Sequence, residues 1–239
     1  MRRQDLSRVL RRLPVYRVVK VPVIAIDGPS ASGKGTIAQR VAHELNFHYL
    51  ESGALYRVVA LVALRERMED AGHLAGVAAS MDLRFQDGRI FIQNQEVTED
   101  IRSEAVGIRA SEVARIAAIR QALLGRQRLF REPPGLVADG RDMGTVVFPD
   151  ATLKVFLTAS PEVRAERRYN QLKDKGINAN LRALSRDLQE RDARDASRAV
   201  APLVPAPDSQ VLDSSALSVD AVVGRILKSY RERISGGRG

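Results

Sequence analysis

Val21-Pro22-Val23-Ile24-Ala25-Ile26-Asp27-Gly28-Pro29-Ser30-Ala31-Ser32-Gly33-Lys34-Gly35-Thr36 is the stretch on which the reading of this chain turns. An apolar run rich in Val and Ile ends at Asp27, and Gly28-Pro29 breaks it. Beyond Thr36 the apolar positions Ile37, Val41, Ala42 and Leu45 recur at helical spacing to about Asn46. The segment therefore predicts a strand, a tight loop and a helix in direct succession.

Between strand and helix the loop supplies G-x-x-x-x-G-K, the spacing of a phosphate cradle. Small residues suit such a loop because backbone N–H groups must wrap a polyphosphate closely, and side chains at Gly28 or Gly33 are expected to block that approach. Gly28, Pro29, Ser30, Ala31, Ser32, Gly33, Lys34, Gly35 and Thr36 are accordingly the predicted nucleotide-binding residues. Lys34 is placed to neutralise the β and γ oxygens, and the helix directs its positive N-terminal end at the same group. The hydroxyl stands one residue later than in the usual pattern, at Thr36, where it can face the phosphates or the shell of a Mg²⁺ ion. ATP with Mg²⁺ is the ligand pair this implies.

Working outward, apolar runs at Leu136–Ala138, Leu153–Leu157 and Val211–Leu212 alternate with helix-period segments. Such alternation predicts an α/β fold with a P-loop-type parallel sheet covered by helices on both faces. Residues 81–98 break the rhythm: Leu83-Arg84-Phe85, Arg89-Ile90-Phe91-Ile92 and Glu96-Val97-Thr98, separated by Asp87-Gly88 and Asn94-Gln95, read as a small antiparallel meander inserted on the core. Charged helical sequence from about 164 to 198, with few apolar anchors around Lys173-Asp174-Lys175-Gly176, reads as a mobile lid. The expected organisation is a basic, unstructured extension over 1–20, a single domain over 21–234 and a flexible tail over 235–239. Within the domain, 21–51, 134–163 and 199–234 form the core and 52–133 the acceptor-binding part.

Composition narrows the function. The chain has 239 residues, 44% hydrophobic, enough for one α/β domain with insertions. Cysteine is absent, and His43, His48 and His73 have no ligand spacing, so disulfides and a metal held by Cys or His are not expected. No long apolar run or secretory leader is present, which predicts a cytoplasmic protein without membrane association. The net charge of +9 raises a nucleic-acid reading, but residues 1–20 alone hold seven Lys/Arg against one Asp. That leaves a mildly basic body with few aromatics, which argues against nucleic acid. The basic segment itself reads as an amphipathic helix for an anionic surface, a loose tail, or residues ahead of the biological start.

A second motif, Leu136-Val137-Ala138-Asp139-Gly140-Arg141-Asp142, ends an apolar strand in an acid and follows it with a charged loop. Open α/β sheets bind ligands at such strand ends, so Asp139 is a candidate to hold a Mg²⁺-bound water. Read alone, the same four residues also fit a turn with an Asp cap.

Lys34-Gly35-Thr36 resembles the end of this loop in nucleoside monophosphate kinases. Ser52-Gly53-Ala54-Leu55-Tyr56-Arg57, the DGRDMGTVVFPDA stretch from Asp139 to Ala151 and ERDARDASRAVAPLVPA from Glu190 to Ala206 together resemble bacterial cytidylate kinases, over roughly Val23 to the C-terminus. The meander is similar to that family's enlarged monophosphate-binding domain. The resemblance implies phosphorylation of CMP and dCMP by ATP. It implies that Arg57, Arg141 and Arg198 clamp the acceptor phosphate, and that Tyr56, Arg191 and Asp195 surround the ribose. Ser52, Ser111, Arg120 and Asp142 would line the cytosine pocket. A monomer is expected, with another acceptor, UMP or AMP, as the alternative.

The chemistry needs little more. The acceptor oxygen is already anionic near neutral pH, so no general base is required and none offers itself. Lys34, Mg²⁺ and lid arginines would spread positive charge over the transferring group. Arg164, Arg167 and Arg168, and likewise Arg191, Arg194 and Arg198, fall at helical spacing and are candidates to project toward the phosphates. Of these, Arg168, Arg191 and Arg198 are taken as catalytic with Lys34; a solvated charged helix face is the competing reading.

Overall fold

The structure, a computed structural model, describes residues 20–86, 88–174 and 176–236. The expectations for an unstructured 1–20 extension therefore lie, apart from Lys20, outside the described residues, as do Asp87, Lys175 and the last three residues. Strand β1 (Val23–Asp27) is buried along its whole length and occupies the centre of a five-stranded sheet. It leads through the loop into helix α1 (Lys34–Leu45), whose buried residues are Ile37, Ala38, Val41 and Ala42. Asn46 ends that helix in the left-handed conformation, with its N–H donating to the Ala42 and His43 carbonyls.

Strand β2 (His48–Glu51) was not foreseen from the sequence. It runs straight into α2 (Ser52–Arg65), a largely buried helix. Helix α3 (Ala71–Ser80) is capped by Asp70, which accepts from the His73 N–H. The meander follows as β3 (Leu83–Gln86), β4 (Arg89–Ile92) and β5 (Gln95–Glu96), antiparallel throughout. Helices α4 (Glu104–Val113) and α5 (Ala117–Leu129) complete the insertion. The chain then returns to the main sheet with β6 (Leu136–Gly140), a short π-helical turn (Met143–Val147) and β7 (Leu153–Thr158). Helices α6 (Pro161–Asp174) and α7 (Leu181–Ala196) form the charged pair, and β8 (Gln210–Asp213) and α8 (Val219–Gly236) close the chain. The last helix continues two residues past Ile234, so Ser235 and Gly236 belong to it and not to a tail; a helix end needs no apolar residue while carbonyls of the preceding turn remain free.

The sheet order is β2-β6-β1-β7-β8, all parallel. Residue alternation along β1 explains why helices cover both faces. Val23 and Ala25 pack into a cluster with Leu50, Leu55 and Val59, while Ile24 and Ile26 face Ile37, Val41, Val155 and Ile226. Asp27 pairs with Gly140 across β1 and β6, so the loops after both strands leave the sheet together at its C-terminal edge. That edge is where parallel sheets place ligands.

Candidate functional site

Each expected phosphate-binding residue has a definite place. Ser30, Ala31, Gly33, Lys34, Gly35 and Thr36 line a cavity of about 460 Å³ over the C-terminal edge of the sheet. Gly28, Pro29 and Ser32 do not. Pro29 accepts at its carbonyl from Lys34 Nζ at 3.1 Å. A Cβ on Gly28 would lie 2.0 Å from the Leu157 carbonyl oxygen on β7. Gly28 is thus required by the neighbouring strand, a correction to the expectation that its side chain would obstruct the phosphates. Gly33 does take a left-handed φ of 90° to turn the loop into α1. Ser32 is buried beneath the loop and lines a second, adjoining cavity of about 310 Å³.

Asp139 sits at the end of β6 and accepts from the Tyr49 hydroxyl at 2.6 Å. Burial pushes its carboxyl up to about 6, against the attraction of Lys34. Gly35 lies against it: a Cβ there would be 3.6 Å from Asp139 Oδ2 and 3.8 Å from the Tyr49 hydroxyl, ordinary contact. Burial, with repulsion from Arg141, pushes the Lys34 ammonium down to about 7. A buried cation at the start of a helix, with its partial positive charge, is poised for a polyanion.

From the inserted part of the chain, α2 delivers Ser52, Tyr56 and Arg57 to the larger cavity, α4 delivers Ser111 and α5 delivers Arg120. Arg57 Nη1 donates to the Ile101 carbonyl at 2.8 Å, which fixes its guanidinium at the cavity wall. Ser111 Oγ donates to the Gly107 carbonyl at 3.3 Å. Arg120 and Asp142 form a buried ion pair, with side chains 8% and 6% exposed, and the guanidinium lies 5.7 Å from the centre of the Tyr56 ring. Burial raises the Asp142 pKa and Arg120 opposes that rise.

The charged helix pair contributes Arg168, Gln171, Leu188, Arg191 and Asp195 to the cavity wall. Asp195 on α7 takes Arg141 Nε at 2.8 Å on one oxygen and Arg198 on the other. Burial opposes its ionisation, yet these two guanidiniums outweigh burial and hold its carboxyl below the usual range. Arg141 also donates to Ser30 Oγ at 2.8 Å, so one arginine joins the phosphate loop, the β6 loop and α7. The Nε atoms of Arg191 and Arg198 are buried without a hydrogen-bond partner. Buried orphan donors beside Lys34 and Arg141 are what an arriving phosphate satisfies.

The arginines read as candidates to face the phosphates divide. Arg168, Arg191 and Arg198 line the cavity. Arg164 and Arg167 do not point at it. Arg164 donates to the Ser30 and Ala159 carbonyls and pairs with Asp192, while Arg167 donates to the Ser32 carbonyl at 3.0 Å and to Ser214. Both hold the phosphate loop from behind, because that loop spends its N–H groups forward and leaves its carbonyls for donors on α6. Arg194 turns outward to the Glu190 carbonyl of its own helix.

Contributors missed by sequence reasoning include Tyr49, Arg102 and the second cavity. Arg102 lines the larger cavity, as does Arg168, and nothing local in the sequence distinguished it from a surface arginine. The second cavity lies between the phosphate loop, Arg167, Arg168 and Gln171 of α6, and Ser214–Val219 after β8. A signal existed in the small polar run Ser214-Ser215 at a strand's C-terminal end, the same position relative to the sheet as the two motifs that were read.

Among the described residues, no group of three or more His, Asp or Glu forms a ready-made metal cage, and no helix is long and apolar enough to cross a membrane. Mg²⁺ does not need such a cage, since it is commonly held by one carboxylate, waters and substrate phosphates. Asp139 and Thr36 line one cavity, a carboxylate and a hydroxyl that fit it as a donor set.

Related sequences place this fold and its arginine-rich cavity in a family. The model of a family described as cytidylate kinase matches residues 24–232. A cytidylate kinase of Bordetella bronchiseptica is 57% identical over 212 residues, covering 88% of this chain and 95% of the relative. One from Ralstonia nicotianae is 55% identical over 213 residues, covering 88% and 93%. A family match of that extent, over a fold and cavity of the expected kind, leaves one assignment: this chain belongs to the cytidylate kinase family.

Proposed function

We propose that the chain transfers the γ-phosphoryl group of ATP to CMP and dCMP, yielding ADP with CDP or dCDP. The observation that carries the acceptor assignment is the buried Arg120–Asp142 pair in the cavity wall. Cytosine presents an amino donor at N4 beside acceptors at N3 and O2, and a carboxylate next to a guanidinium complements that edge. Uracil presents N3–H and O4, so like would face like at a cost of about 1–3 kcal/mol per unsatisfied group. Ser52 and Ser111 complete the base pocket. Tyr56, Arg191 and Asp195 take the ribose side, and Arg57, Arg141 and Arg198 grip the acceptor phosphate.

An oxygen of the CMP phosphate attacks the γ phosphorus while the bond to the bridging β,γ oxygen breaks, and ADP carries that electron pair away. No proton has to move, so this chain's residues contribute alignment and charge. Lys34 and the phosphate-loop N–H groups hold the donor, and Arg168, Arg191 and Arg198 meet the transferring group from the lid side. Thr36 and Asp139, the latter through a water, would hold a Mg²⁺ ion at the donor phosphates, where it would supply charge neutralisation. The second cavity, part apolar and next to the loop, is the place for the adenine of ATP. In this reading residues 52–133 bind the acceptor, 164–198 close as a lid, and 21–51, 134–163 and 199–234 are the frame. The enzyme works as a cytoplasmic monomer.

The test is ADP formation from ATP and Mg²⁺ with CMP, dCMP, UMP and AMP offered separately, alongside an Asp142→Ala variant. CMP and dCMP should dominate, and the variant should lose their turnover selectively. Dominance of UMP or AMP would overturn the acceptor assignment while leaving the phosphate cradle in place.

A further inference from the structure

One buried carboxylate has no part in the chemistry above. Asp27 is the last residue of β1, 5% exposed, and stands immediately before Gly28. Its two oxygens accept from the backbone N–H groups of Met143 and Gly144, each at 2.8 Å. These are the first two amides of the π-helical turn Met143–Val147, whose N-cap is Asp142. The opening amides of any helical turn have no partner within it, and here a side chain 116 and 117 residues away in sequence satisfies the first two, from the strand that leads into the phosphate loop. π-helical turns are rare and concentrate at functional sites, where they set a side chain at an angle a regular helix does not give.

We infer that Asp27 is a positioning residue which fixes the loop bearing Arg141 and Asp142 against the phosphate cradle, so that donor and acceptor sites keep one geometry. The inference rests on the acceptor reading above. It follows from connectivity: Gly28 begins the donor loop, Met143 follows Asp142, and the Asp27 carboxylate ties the two through the backbone, beside the side-chain link from Arg141 to Ser30. Lys154 closes the far side, since a Cβ on Gly144 would meet its stem at 3.2 Å and Asp27 Oδ2 at 3.4 Å, so the turn has little room to shift while the carboxylate is in place.

Asp27→Asn keeps the shape, but its amide can accept from only one of the two N–H groups and turns a donor toward the other. The expected result is a KM for CMP raised about tenfold, the loss of one charge-assisted hydrogen bond, with KM for ATP within about twofold. Discrimination of CMP over UMP should fall as well, because Asp142 is no longer held in register. Equal rises in both KM values, or unchanged KM for CMP, would overturn the inference. A second measurement needs no variant: in the wild-type protein the Met143 and Gly144 amides should exchange hydrogen as slowly as those of β1 and β6. Exchange at the rate of an exposed loop would also overturn it. Because exchange is read without substrate, a wild type that fails to phosphorylate CMP defeats the acceptor reading, while fast exchange defeats the tie itself.

Discussion

Asp142 and Arg120 neutralise each other in a pocket where neither is more than about a tenth exposed, so their effects on stability and on selectivity are separable. Removing one member of a buried pair strands the other charge, at about 3–5 kcal/mol. Asp142→Asn keeps a carbonyl toward Arg120 and replaces the charge by an amide that can turn its donor toward O4 of uracil. It should lower kcat/KM for CMP by about tenfold to a hundredfold and narrow the CMP-to-UMP ratio, with a lowered Tm in the same protein. Lys34 predicts the opposite coupling. Its ammonium is buried and pushed down to about 7, so the ionised lysine is a cost to the folded protein. Lys34→Met should therefore cut kcat about 10²–10³-fold with Tm unchanged or raised, checked by steady-state rates and a thermal melt without nucleotide. Asp27 adds a pH dependence. Burial pushes its pKa up to about 7 from 3.8, opposed by the Gly144 and Met143 N–H groups and by Arg141, and reinforced by Asp142. A raised pKa means the folded protein binds a proton that the unfolded chain releases, so the stability it contributes is complete below about pH 4 and is lost as pH rises through about 7. In Asp27→Asn that decline in denaturation midpoint between about pH 4 and 7 should be absent.

Among the elements, what was legible in the sequence is what is local. The β1–loop–α1 unit announces itself because the strand, the turn glycines and the helix periodicity are contiguous, and β6, β7 and the meander follow the same logic. Strand β2 was illegible for a physical reason: it is four residues long with only Leu50 buried, so it carries no alternation long enough to read. The reason for Gly28 was equally hidden, because the Leu157 carbonyl that excludes a side chain belongs to a strand 129 residues away. Gly28→Ala should destabilise by about 3 kcal/mol as β1 and β7 are forced apart, a loss a melt would register even without substrates. Charge periodicity on α6 and α7 identified arginines in the right region but not their targets. Arg164 and Arg167 grip loop carbonyls whose positions only the folded sheet defines. For the acceptor site, the Ser52–Arg57 and Asp139–Asp142 blocks were readable as motifs. Arg102 and the Asp27 tie were not, since both depend on which distant segments the sheet order brings together.

Apart from the basic first twenty residues, positive charge gathers at the larger cavity. Eight cationic side chains and four carboxylates line the larger cavity among the described residues, a formal surplus of +4. ATP and a nucleoside monophosphate bring about six negative charges together, of which Mg²⁺ cancels two, so cavity and substrates approach neutrality only when both nucleotides are present. With one nucleotide or none, Arg57, Arg102, Arg141, Arg168, Arg191 and Arg198 repel each other across the gap; for Arg57 and Arg191 that repulsion, added to burial, lowers the pKa. Binding either nucleotide should therefore ease binding of the other and favour closure of α6 and α7 over the cavity, excluding water only when an acceptor is in place. Attraction of this kind acts across the open cavity mouth, where salt screens it over about 8–10 Å, while contacts inside the closed site are screened far less. Raising KCl from low to moderate ionic strength at fixed free Mg²⁺ should thus raise KM for ATP and for CMP by about three- to tenfold and leave kcat within about twofold. KM values indifferent to salt would mean that the surplus charge acts only after closure, and that recognition rests on the buried hydrogen bonds of Asp142, Arg120 and the phosphate loop alone.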